Sequence, residues 1–204
     1  MQRFIRLMIA GVMALAVAGS PATANKIMPQ GKPVAVAKSG LTVTPGMDWN
    51  RLSGRPGRNA ESWTLDGLSL NDLTFYGGIV DGATLFRDAR KKTDPLPKFS
   101  ATMLIPDIAR LFESSYRVSV GTSLMSIDSI EPATFAGKPG FHFTYSFVVQ
   151  GEEVRRKGEA KGAVIDGKLF LITFEAPTIH YFDADIAAAR AVQDSAVIGL
   201  APTS

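Results

Sequence analysis

The chain has no cysteine in 204 residues. That absence excludes disulfides and a thiol nucleophile, and it closes the lipoprotein route to a membrane, which needs a cysteine to carry the lipid. Leu15-Ala16-Val17-Ala18-Gly19 has the form of a lipid-attachment approach, yet position 20 is Ser. Histidine is nearly as scarce: His142 and His180 are the only two, so a zinc site would have to recruit carboxylates. No serine sits in Gly-x-Ser-x-Gly. Neither Gly77-Gly78 nor the 137–140 run opens a helix with Lys-Ser/Thr, so no phosphate loop is present. Glu152-Glu153 reads as a solvated hairpin tip, not as a catalytic carboxylate pair. The sequence implies no catalytic residue, no metal and no cofactor.

Charge of one sign is lacking too. Lys and Arg number 22 against 19 Asp and Glu, and two of the basic residues, Arg3 and Arg6, precede the apolar run 7–17. Ala22-Thr23-Ala24 follows with small residues at the spacing of a signal-peptidase site. The reading is a cleaved signal peptide over 1–24, and a periplasmic or secreted protein without stable membrane insertion. An apolar run that short does not span a bilayer. Without the leader the balance is 20 against 19, so the pI near 9.2 does not describe the exported part, and nucleic acid is not an expected partner. Roughly 180 residues remain, enough for one domain.

Residues 25–39 are rich in Ala, Lys, Pro and Gly without periodicity and read as a flexible tether. Order is expected from 40 to 199. Residues 41–43 form a short strand, and 60–65 pair across Asp66-Gly67 with a strand over 68–79 that bulges near Asn71-Asp72. Residues 85–92 read as a short helix or turn. Pro106 starts a helix at its first turn, and Ile108, Leu111, Phe112, Ser115 and Tyr116 recur on one face until Gly121. Residues 124–130 form a strand ended by Glu131-Pro132, and 137–140 turn into the central meander. Asp183 caps a last helix from Ala184 to about Asp194.

The chain is organised around 141–175. Phe141, Phe143, Tyr145 and Phe147 alternate with polar residues, the period of a strand with one buried face. A second strand puts Arg155, Lys157, Glu159 and Lys161 on one side and Gly158, Ala160 and Gly162 on the other. Asp166-Gly167 makes a two-residue turn that sets Gly162 opposite Leu171. The rings then cover the glycines, and the small apolar residues of the last helix suggest that it lands on the same row.

The 137–141 run Gly-Lys-Pro-Gly-Phe before an aromatic strand, the Asp166-Gly167-Lys168-Leu169-Phe170 turn and the order of elements from about 41 to 198 resemble the PsbP-like family. The segments around Trp63 and 71–79 resemble a bacterial envelope subgroup of it. The resemblance implies an α+β fold, an antiparallel sheet of about six strands flanked by helices in an α/β/α sandwich. The family includes extrinsic photosynthetic subunits, assembly factors and a nuclear-import factor, mostly without catalysis. It therefore implies a non-enzymatic periplasmic binding or assembly-accessory protein with an envelope protein as partner. The alternative is a small-molecule or hydrolytic site at the loop around His180, where His180, Tyr181 and Asp183 are the candidate ligand-binding residues.

Overall fold

In the computed structural model, residues 26–89, 92–122, 124–149 and 151–199 are described. The expected leader and Asn25 lie outside them. The elements run β1 (Lys26–Met28), β2 (Val34–Ala35), β3 (Leu41–Val43), β4 (Trp49–Arg51), β5 (Ala60–Thr64), β6 (Asp72–Ile79), α1 (Ile105–Val120), β7 (Met125–Phe135), β8 (Lys138–Val148), β9 (Arg155–Ile165), β10 (Lys168–Pro177), α2 (Tyr181–Asp194) and β11 (Val197–Ile198). Eight strands form one antiparallel sheet in the order β1-β4-β5-β6-β10-β9-β8-β7, and β11-β3-β2 form a second. The fold is thus more sheet-rich than the expected sheet of about six strands, with two helices among the described residues.

Two of the extra strands, β1 and β2, come from the stretch read as a tether. β1 pairs with β4, β2 pairs with β3, and Met28, Val36 and Ala37 are fully buried. Strands of two or three residues are too short to show an alternation, so composition alone could not reveal them. At the other end of the chain β11 closes on β3, and the Ser195 hydroxyl accepts the Thr44 amide at 2.8 Å.

The central meander has the expected register. Asp166 and Gly167 take φ of 50° and 71°, the two positive angles that a tight hairpin turn requires, and Leu171 faces Gly162. Phe141, Phe143 and Tyr145 face Gly162, Ala160 and Gly158 in turn. β7, however, runs through Pro132 to Phe135 instead of ending at Glu131. It is an edge strand, where a missing N–H on the open side breaks no ladder bond. Residues 68–70 are a turn and not strand: Leu70 and Asn71 donate their amides back to the Gly67 carbonyl. The described part of 85–92 is bends and turns.

β10 is apolar on both faces, with Leu169 and Leu171 on one and Phe170, Ile172 and Phe174 on the other. A strand of that kind needs a layer on each side. α1 supplies the first. Pro106 opens it, Gly121 ends it in the left-handed region, and Ile108, Leu111, Phe112 and Tyr116 bury against the ring row. Phe112 sits among Tyr116, Phe143 and Tyr145 with ring centroids 5.1–5.5 Å away. α2 supplies the second, on the opposite face: Phe182 packs on Phe174 at 6.0 Å, and Ala189 and Val192 are fully buried. The expected landing of α2 on Gly158, Ala160 and Gly162 is therefore corrected. That row is already filled by the rings and α1, whereas the other apolar face of β10 was open.

Candidate functional site

The residues singled out in the sequence gather at the start of α2. His180 is the cap position of the helix, at φ 76°, and makes no side-chain cap bond. The helix thus begins ahead of Asp183, which lies exposed in its first turn instead of capping it. His180 is exposed and stands edge-on to Tyr181 at 5.4 Å. The three residues are neighbours, but among the described residues no carboxylate pairs with His180. Asp185, one turn of helix further on, is bonded instead to Asn71, whose Nδ2 donates to it at 2.9 Å. Asn71 is fully buried and organises the turn before β6, accepting from Leu65 N and Thr64 Oγ1 at 2.7 Å each.

The most perturbed groups lie elsewhere, on the α1 face. One cross-strand line runs Asp72 (β6), Glu175 (β10), Gly158 (β9), Tyr145 (β8). Gly158 is the reason that line connects. A Cβ built there would land on the Tyr145 ring, so only the bare backbone lets that ring lie across β9. Its hydroxyl then donates to Glu175 Oε2 at 3.0 Å, while Tyr116 of α1 donates to Oε1 at 2.5 Å. Asp72 Oδ1 accepts from Thr74 at 2.7 Å, and Thr74 is bonded to Ser62. Buried Arg156, whose charge acts on both acids, donates to the Ser69 and Leu68 carbonyls at 2.9 and 3.4 Å.

Burial pushes the Glu175 carboxyl up to about 7, and the facing Asp72 charge adds to that; Tyr116, Arg156 and Tyr145 pull the other way. Asp72 rises to about 6 for the same first reason, against hydrogen bonds from Thr74 and Ser62 and the Arg156 charge. Tyr76, Tyr116 and Tyr145 are all pushed well up by burial and by the neighbouring acids. Two like charges directly opposed across a sheet repel, so the pair holds a proton near neutrality. This follows for stability: the unfolded chain releases these protons near 3.8 and 4.5, the folded one only near 6 and 7. The contribution is complete at low pH and is lost as pH rises through that window. Urea unfolding should show the protein more stable at pH 5 than at pH 8 by roughly 1–3 kcal/mol. Glu175→Gln should flatten the profile; a wild-type protein equally stable at both values would contradict the arrangement.

A second cluster occupies the α2 face. Arg190 of α2 forks onto Glu159, donating from Nε at 2.9 Å and from Nη2 to the other oxygen, and His142 Nε2 lies 3.5 Å away. Burial would raise the Glu159 carboxyl, but the hydrogen bonds from His142 and Arg190 outweigh it and hold the group at about 2. With Glu131, Lys161, Gln193 and Asp194 these residues line a cleft of about 270 Å³. Lys161 also bonds Asp194 at 2.5 Å. Beyond α2 the same face of β8 and β7 carries Thr144 and Ser129, half-buried, and Ser126 and Glu131, exposed. Ser129 bonds Thr144 at 2.8 Å, and Ser126 lies across from Ser146.

Sequence reasoning missed the acid–tyrosine cluster because alternation on β10 has large apolar groups in both phases, so nothing marked Glu175 as inward. The usable signal was Gly158: a glycine facing a tyrosine in mid-strand predicts a ring crossing the backbone toward the next strand.

No protein-family model matches the chain, and no curated protein does. Among solved structures, the solution structure of cyanobacterial PsbP (CyanoP) from Synechocystis sp. PCC 6803 is similar over 91% of this chain and 99% of that one, with a TM-score of 0.50 and 17% identity. The crystal structure of LpqN, involved in cell envelope biogenesis of Mycobacterium tuberculosis, matches over 90% and 88% with a TM-score of 0.36 and 11% identity, too slight a likeness in shape to bear on this chain. The eight-stranded sheet with one helix on each face, aligned with CyanoP along nearly its whole length, is a PsbP-like fold.

Proposed function

We propose that this chain is an exported, non-enzymatic binding or assembly-accessory protein of the periplasm, and that it meets a protein partner through the uncovered face of β7, β8 and β9. One observation carries the reading. α2 covers β10 and part of β9 and stops, leaving a continuous polar strip of Ser129, Glu131, His142 and Thr144 beside Lys161 and Arg190. The strip is rigid, because the cross-strand pairs Ser129–Thr144 and His142–Glu159 fix its side chains, and rigid polar surfaces lose little entropy on binding. The leader-like segment, with Arg3, Arg6, the apolar run 7–17 and Ala22-Thr23-Ala24, supports export. The exposed His180, which no carboxylate pairs with among the described residues, gives the hydrolytic alternative no comparable support.

A photo-crosslinking residue placed at Thr144 or Glu131 in intact cells should give a discrete adduct of one partner. The same residue at Arg110, on the outer side of α1, should not. Equal labelling from both faces, or an exported protein whose mass still includes Met1, would count against the proposal.

A further inference from the structure

At the edge of the sheet opposite β7, Lys26, Arg51, Leu52, Ser53, Arg55 and Glu61 line a cavity of about 160 Å³. At about 30 Å³ per water in the liquid, that is room for one small polyatomic ion with some of its hydration. Three cations stand there against a single carboxylate. Lys26 is directly across from Arg51 in the β1–β4 ladder, an arrangement of like charges that costs stability unless an anion lies between them.

Glu61 does not supply enough. It is 3% exposed and its oxygens are already engaged: Oε1 accepts Trp63 Nε1 at 2.9 Å and Oε2 accepts the Ala37 amide at 3.3 Å. The guanidinium of Arg51 comes only to 3.7 Å from it and that of Arg55 to 3.9 Å, both beyond hydrogen-bond reach. Among the described residues neither the Arg51 nor the Arg55 side chain donates a hydrogen bond, and Arg55 Nη1 is buried with no partner. A buried guanidinium nitrogen without an acceptor is costly, and a ligand that brings acceptor oxygens removes that cost. Two guanidinium forks and an ammonium around a pocket of this size match the oxygens of a tetrahedral oxyanion.

We infer that this pocket binds a phosphate-class oxyanion, with Arg51 and Arg55 as the ligands, Lys26 as the neutralising charge and Glu61 as the group that holds the two guanidinium ions in place. The phosphate could be free or could be the headgroup of an anionic lipid, and the test separates these.

The purified protein is titrated with inorganic phosphate by calorimetry, with chloride added to keep ionic strength constant, and its melting temperature is followed in parallel. Saturable binding and a rising melting temperature are expected. Arg55→Gln and Arg51→Gln should each weaken binding at least tenfold, and Lys26→Gln by less. Arg55→Gln removes a buried guanidinium nitrogen that has no acceptor, so its melting temperature in chloride alone should not fall; if that variant fails to fold, Arg51→Gln carries the test. Sedimentation with phosphatidylglycerol vesicles, against phosphatidylcholine, is the second arm. Phosphate binding without vesicle binding supports the site with a free ion as its ligand. Binding in both arms, lost together in Arg51→Gln, supports the site with a headgroup. Binding in neither arm, or binding that survives both arginine variants, overturns the inference.

Discussion

Replacing Gly158 with alanine will destabilise the protein by about 2–5 kcal/mol, although alanine is the better residue for an ordinary strand. The added methyl has nowhere to go. It would fall on the ring of Tyr145, itself fully buried between Phe112, Phe143 and Phe147, with Tyr116 alongside. To make room the ring must leave β9, and the hydroxyl then loses Glu175. Overpacking accounts for roughly 1–3 kcal/mol of the effect and the stranded buried oxygen for a similar amount. The origin is testable in a double-mutant cycle followed by urea unfolding. In a Tyr145→Ala background the same glycine substitution should cost almost nothing, since the ring it strikes is gone. Lys161→Val, three residues away on the other face, should be mild because its partner Asp194 is mostly exposed. A Gly158→Ala protein as stable as wild type would mean that Tyr145 does not cross β9.

Phe143→Ala should cost about 3–5 kcal/mol. Phe143 is 0% exposed and its ring lies 5.5 Å from Phe112 and 6.1 Å from both Phe141 and Tyr145. It sits over Ala160, so the strand beneath offers no side chain able to collapse into the space. The neighbours are stiff rings held by α1 and by the Glu175 hydrogen bonds, which makes relaxation small and the cavity term large. For a domain of this size the loss corresponds to a fall in melting temperature of roughly 6–20 °C. The urea midpoint should move with the slope unchanged, the mark of lost stability and not of an altered unfolded state. A shift of a few tenths of a kcal/mol would place Phe143 outside the core.

Both effects arise from the meander, and the meander was the most legible part of the chain. Alternation at 141–147 assigned the buried face, Asp166-Gly167 set the pairing of β9 with β10, and Pro106 and Gly121 bracketed α1. These features are local: a pleat has period two, a helix has period 3.6, and a two-residue turn fixes the register of the strands that it joins. The small-x-small site after an apolar run is local as well, and so is the absence of cysteine.

What the sequence could not decide were relations between distant residues. Asp72 and Glu175 become partners only because β6 lies against β10, and nothing within either strand specifies that neighbour. α2 chose its face because α1 and the ring row had already filled the other, a competition between elements that no single helix records. β1 and β2 are too short to be strands on their own and exist because β4 and β3 offer them a ladder. The cationic pocket has the same origin. Lys26, Arg51 and Arg55 are unremarkable surface residues in the linear chain, and only the β1–β4 pairing and the turn after β4 bring their charges around one buried glutamate. Hydrogen bonds and charges act through space over a few ångströms, so sites made of them are properties of the packed sheet, whereas the periodicities that build its strands are written along the backbone.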